Sequence, residues 1–199
     1  MTSLFPHLWP DVGPCPFVVD QDAAMQVVLQ HYDAGRDASY VTVSRGSEKE
    51  LSQGSNPLSD KPATLRFASF VQGTTIIYDA TDETLQGKAR PFACDLNRRS
   101  FRLYALLPFQ IEGTAMQVKN VNSQRYLKVA FVDARGEKIQ AAMPFELRLI
   151  DRDESTLASK DCATDREGQF VYHLYYGAAA PMKAVVRSRL TGREETMEL

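Results

Sequence analysis

SFRLYALLPFQIEG, residues 100–113, decides how the chain is divided. Side chains alternate across a strand, so Phe101, Leu103, Ala105 and Leu107 share one face and Arg102, Tyr104 and Leu106 the other. Period-2 alternation with an arginine and a tyrosine outward predicts a half-buried strand. Pro108 has no N–H to give to a ladder, so a central strand ends there. Gly113 then permits a change of direction. On this reading FRLYALLP closes one domain and FQIEG leads into a second.

Downstream the chain keeps a regular rhythm. Strand-like runs fall at YLKVAFVD (126–133), FELRLID (145–151), TLASKDCAT (156–164), QFVYHLYY (169–176), KAVVRSRL (183–190) and ETMEL (195–199), with AMQVKNV (115–121) as a further candidate. DARGE, DRDES, DREGQ and TGRE separate them, and Asp and Gly in such positions are turn formers for different physical reasons. Short strands spaced by about 8 to 12 residues are the mark of an all-β sandwich. The Cys…Trp…Cys spacing of antibody domains is absent, so the expectation is an immunoglobulin-like architecture without membership of that family. Alternation assigns Leu127, Val129, Phe131, Phe145, Leu147, Leu149, Phe170, Tyr172, Leu174, Ala184, Val186 and Leu190 to the core. Glu146, Arg148, Lys183, Arg187 and Arg189 point outward.

Upstream, residues 1–20 read as an extended segment broken by Pro6, Pro10, Pro14 and Pro16, with Phe5 and Trp9 as candidates to dock into a groove. AAMQVVLQHYDAGRDASYVTVSR reads as a hairpin turning at Gly35, although its first half also has helix-forming residues. Residues 44–62 are a long polar loop. ATLRFASF (63–70), TTIIYDA (74–80) and FACDL (92–96) are strand-like. The fold class is therefore all-β: a segment 1–20, a β-sandwich domain 21–112 and an immunoglobulin-like β-sandwich domain 113–199.

At 199 residues the chain suits two small domains of roughly 100 residues each and needs no metal or disulfide staple. The formal net charge of -2 gives no electrostatic case for nucleic acid or an anionic membrane. No run approaches the ~20 apolar residues that span a bilayer. The prolines interrupt any apolar run at the start, and no Lys or Arg precedes one, so no export signal is expected in this chain. Cys15, Cys94 and Cys162 are widely spaced and odd in number, which predicts free thiols.

The order of several pieces is familiar. MQVVLQHYDAGRDASYVTVSR, then GTTIIYDATDETLQG, then SFRLYALLPFQIEG resemble the C-terminal β-sandwich region of large multidomain bacterial proteins related to glycoside hydrolases of the beta-galactosidase type. In those, a tyrosine–aspartate pair, here Tyr78-Asp79, ends a strand ahead of a short turn and a glycine, here Gly87. The tail from LKVAFVDARGEKI to DCATDREGQFVYHLYY is similar to the immunoglobulin-like domain that follows. The resemblance spans most of residues 24–199, and its motifs are turns and core strands. Where the family often has an arginine pair after the first strand, this chain has Gln30-His31. The resemblance implies an accessory region whose catalytic barrel lies elsewhere, and an extracytoplasmic parent protein.

The residues themselves point the same way. His7, His31 and His173 lack HxH or HExxH spacing, so no metal is expected. No GxSxG occurs for a serine nucleophile, and RGSEK and QGSNP sit in the polar loop. A glycosidase needs two carboxylates facing across a cleft, but Asp and Glu fall in turn contexts, including Asp151, Asp153 and Glu154. Lys183, Arg187, Arg189 and Arg193 read as a solvated edge strand balanced by Glu194, Glu195 and Glu198. No nucleotide fold and no cofactor are expected. The prediction is a non-catalytic module that contacts a protein partner or neighbouring domain. Trp9, Tyr104, Phe109 and Tyr175 are its candidate contact residues. The alternative is a carbohydrate-binding module in which exposed aromatic faces stack on sugar rings.

Overall fold

A computed structural model describes residues 9–10, 14–19, 27–36, 38–45, 63–69, 71–96, 101–174 and 180–199. Every regular element in it is a β-strand, and the strand pairings are antiparallel. The chain forms two compact units, one of residues 9–33 and 38–108, the other of residues 34–37 and 109–199. The division falls between Pro108 and Phe109.

In the first unit the strands are β1 (Trp9–Pro10), β2 (Phe17–Val19), β3 (Val27–Gly35), β4 (Ala38–Arg45), β5 (Ala63–Phe67), β6 (Ile76–Asp79), β7 (Thr84–Lys88), β8 (Phe92–Cys94) and β9 (Phe101–Leu107). They make a six-stranded sheet, β1-β3-β4-β9-β6-β7, and a three-stranded sheet, β2-β5-β8. Phe17, Val41, Val43, Leu65, Ile77, Cys94, Leu96, Tyr104 and Leu106 form the core between them. The segment 1–20, expected outside the domains, supplies two of these strands within its described part. Trp9 pairs with Asp33, and Phe17 pairs with Phe67 while burying its ring in the core. Strands of two and three residues between prolines are too short to show a period. TLQGK (84–88), not among the strand-like runs of the sequence, is the outer strand β7.

The opening stretch forms β9, but it is not half-buried. It lies between β4 and β6, and every residue from Leu103 to Leu107 is buried. The parity of the two faces is as the alternation requires. The Tyr104 and Leu106 face, expected to look outward, is the one that enters the sandwich core. An interior strand covered on both faces has no need of a polar side, so alternation marks parity without marking which side is wet. Gly113 marks a bulge inside the next strand, not a change of direction.

The second unit contains β10 (Ile111–Val121), β11 (Gln124–Asp133), β12 (Pro144–Ile150), β13 (Thr156–Ala163), β14 (Phe170–Leu174), β15 (Lys183–Ser188) and β16 (Glu194–Glu198). One sheet has the order β10-β11-β14 and the other β13-β12-β15-β16. The chain crosses between the sheets at β11–β12, β13–β14 and β14–β15. Leu127, Val129, Phe131, Phe145, Leu147, Leu149, Ala184, Val186 and Leu190 are buried, as their parity requires. Phe131 and Phe170 both meet Phe145 edge to face, with ring centres 5.8 and 5.1 Å away. Phe170 and Tyr172 face inward yet stay half-buried, because β14 ends its sheet.

Three turns of this unit share one design. Asp133, Asp151 and Asp165 each accept a bond at Oδ1 from the amide four residues on, Glu137 at 3.0 Å, Ser155 at 2.8 Å and Gln169 at 2.8 Å. Each also donates its own amide to the carbonyl of that residue. The fourth position needs positive φ and is filled by Gly136, Glu154 and Gly168.

Candidate functional site

The residues singled out as contacts do not meet in one place. Tyr104 is 3% exposed and belongs to the core of the first unit. Its ring packs edge-on against Phe17 and Phe92, with centres 5.8 and 5.1 Å away, and its hydroxyl donates to Cys94 Sγ at 3.4 Å. Burial pushes its hydroxyl well above the ordinary value of 10.0. Tyr104 is thus a core residue with no face for a ligand. Phe109 is half-buried at the start of the second unit. Trp9 contributes backbone pairing in β1, while its side chain, Phe5 and Tyr175 lie outside what is described.

Acidic side chains of the first unit cluster at the end of β6. Asp79, 3% exposed, accepts from the amides of Thr81 at 2.9 Å and Asp82 at 3.2 Å through Oδ1. Its Oδ2 accepts from Arg102 Nη1 at 3.1 Å, and the same nitrogen pairs with Asp82. Thr81 Oγ1 accepts from the Leu103 amide at 2.8 Å. Two carboxylates lie close together here, but a guanidinium sits between them and two backbone amides occupy the other oxygen of Asp79. That arrangement fixes the β6–β7 turn.

In the second unit the outer face of β13-β12-β15-β16 is a lattice of opposite charges. Cross-strand register aligns Asp161, Glu146, Arg187 and Glu194 in one row. Arg189 Nη2 reaches Asp161 at 2.7 Å and Glu146 at 3.4 Å, and Arg148 Nη2 reaches Glu194 at 2.8 Å. Ser159 Oγ donates to Glu146 at 2.8 Å, and Lys183 pairs with Glu154. The charges of the basic run 183–193 suggest an edge strand. In fact β15 is interior, between β12 and β16, and acids on its neighbours balance its charges. Arg193 leaves this face and donates to the Glu112 carbonyl at 2.9 Å, while Glu195 accepts from the Thr114 amide at 2.8 Å beside the β10 bulge.

The opposite sheet, β10-β11-β14, carries a surface aromatic pair that sequence reasoning missed. Tyr126 and His173 are cross-strand partners, and their rings stack at 4.8 Å with 20° between planes. Lys119 completes their row, and Gln117, Lys128 and Val171 form the next. Val171 is 50% exposed. Tyr126 has the opposite parity to Leu127, so its outward direction was legible. Its pairing with His173 depends on register, which was not. Asp151 and Asp153 belong to the turn described above, where Asp151 also accepts from the Asp153 amide at 2.9 Å. Among the described residues no group of three or more His, Cys, Asp or Glu is placed to hold a metal ion. Cys15, Cys94 and Cys162 are free thiols.

Fold and side-chain chemistry together define a two-unit, all-β sandwich protein whose described charges hold its own turns and strands. No protein-family model and no curated protein sequence matches the chain. Among solved structures it is similar to Ruminococcus gnavus beta-glucuronidase in complex with uronic isofagomine, at 10% identity and a TM-score of 0.26 over 97% of this chain and 45% of that one. Another structure of the Ruminococcus gnavus beta-glucuronidase gives 11% identity and 0.26, with 97% and 46% covered. A putative beta-galactosidase from Bacteroides fragilis gives 15% identity and 0.27, with 98% and 35% covered. The chain therefore spans less than half the length of each of these enzymes. Overlays at such scores carry no argument about mechanism.

Proposed function

We propose that this chain is a non-catalytic accessory module of β-sandwich type, working within a glycosidase-like architecture and contacting a protein partner or a neighbouring domain. The observation that carries the reading is how its acids are used. Asp79, Asp133, Asp151 and Asp165 cap turns, and Glu146, Glu154, Asp161 and Glu194 are held in ion pairs. A carboxylate bonded to backbone amides or matched to a cation is poorly placed to pass a proton to a substrate. The three-plus-four strand order of residues 109–199 supports an immunoglobulin-like module. The motif resemblance of residues 24–199 supplies the glycosidase setting. A panel of chromogenic glycosides and esters tests the proposal, and no turnover is expected. Turnover abolished by substituting one carboxylate or one serine would overturn it.

A carbohydrate-binding role is the second reading, and the Tyr126–His173 pair beside Lys119, Gln117 and Lys128 favours it. Calorimetric titration with oligosaccharides separates the two. Saturable binding lost in Tyr126→Ala supports the second reading over the first.

A further inference from the structure

We propose that Lys160 guards the open edge of β13 against pairing with a second copy of this chain. Among the described residues β13 pairs only with β12, and it runs for eight residues. Such an edge offers a row of free backbone donors and acceptors to another strand. Its inward parity is Ala158, Lys160 and Cys162, opposite Leu149, Leu147 and Phe145. Two of those three inward residues are small and apolar, and the third is a lysine. Its cross-strand partner is Leu147, and among the described residues no salt bridge holds Lys160. Its Nζ lies 5.2 Å from the ring centre of Tyr172, which sits on β14, the end strand of the other sheet. The ammonium is thus held at the mouth between the two sheets, where a cation over an aromatic face is stabilised while still wet.

Geometry explains why one charge suffices. Lys160 is near the middle of β13, so a two-fold antiparallel pairing of β13 with itself over its full length brings two Lys160 side chains close to the axis. Like charges facing across strands are destabilising, and each ammonium would also lose water. Without that lysine the strand would read TLAS-apolar-DCA, with Leu157 already 40% exposed. The other side of the sandwich is closed differently, by Glu195 and Arg193 bonding to the backbone of β10.

Sedimentation velocity over a wide range of protein concentration, with amide hydrogen exchange across residues 156–163, tests the proposal. Lys160→Val is expected to raise self-association by about tenfold or more, because two ammonium groups leave each symmetric pair. The amides of β13 should gain protection in the associated form, and Lys160→Arg should behave as the parent chain does. Lys160→Thr, also β-branched but polar, keeps the test sound if the valine variant fails to fold. The idea is overturned by association unchanged in both neutral variants, by equal association in Lys160→Arg, by association that leaves the β13 amides unprotected, or by a parent chain already paired through β13.

Discussion

Gly136 and Gly168 occupy the same position of the same five-residue turn, with φ of +75° and +73°. Replacing each by alanine separates backbone handedness from steric contact. At Gly136 the added methyl meets nothing within 4 Å. Its cost is the left-handed backbone alone, about 1–2 kcal/mol, less the roughly 0.4–1 kcal/mol gained by stiffening the unfolded chain. Glu154 holds the third copy of the turn at φ +60°, so an L side chain is tolerated there when nothing sits over it. At Gly168 the new Cβ would lie 1.7 Å from the Ile139 carbonyl oxygen and 2.8 Å from its carbon. That carbonyl would have to retreat by about 1.3 Å to reach the shortest contact that real Cβ atoms make. Ile139 is not free to yield, because its amide donates to the Phe131 carbonyl at 2.9 Å and both side chains are buried. Overpacking of this kind costs about 1–3 kcal/mol beyond the conformational term. Urea unfolding followed by circular dichroism, with calorimetry to resolve the second unit's transition, measures both variants. Gly168→Ala should lower stability by about 2–4 kcal/mol and Gly136→Ala by about 1 kcal/mol or less. Equal losses would refute the reasoning, since they would mean that the Ile139 carbonyl does not constrain the turn.

Leu147→Ala removes a side chain that is 2% exposed between the two sheets of the second unit, and should cost about 2–5 kcal/mol by chemical denaturation. A loss within the ordinary surface range of about 0.5 kcal/mol would mean that β12 is out of register by one residue. Asp79→Ala strips Arg102 of its most buried partner and two amides of their acceptor, with an expected loss of about 3–5 kcal/mol. An unchanged unfolding midpoint would show that Asp82 alone satisfies Arg102. Tyr40 and Tyr104 are pushed well above 10.0 by burial, so the folded chain keeps protons that the unfolded chain releases. Stability should therefore hold below about pH 10 and fall above it, by about 1.4 kcal/mol per pH unit for each group. Absorbance titration checks this, and ionisation of every tyrosine with the fold intact would contradict it. Burial pushes the Cys162 thiol up to about 11, so iodoacetamide should label it slowly at neutral pH and faster as pH approaches that value. Rapid neutral labelling in the native state would overturn that expectation.

The sequence by itself determined the elements whose information is local. Alternation over 126–133, 145–151 and 183–190 placed the core of the second unit, because a strand on a packed sheet has one dry face and one wet one. Asp and Gly at DARGE, DRDES and DREGQ marked its turns, because an aspartate oxygen can bond amides two and four residues ahead and glycine tolerates positive φ. Gly35 marked a hairpin end for the same reason, at φ +100°. Only the tertiary structure decided what depends on neighbours distant in sequence. FRLYALL has the same alternation whether one face or both are covered. In the folded chain residues of both faces from Leu103 to Leu107 are buried, which makes Tyr104 a core residue instead of a contact. The basic run of β15 is an interior strand because it pairs with both β12 and β16, which bring Glu146 and Glu194 beside Arg187. Tyr126 and His173 stand 47 positions apart in the chain and meet only through the β11–β14 register. Alternation fixes on which side of a strand a residue points, and strand order and register fix what waits there.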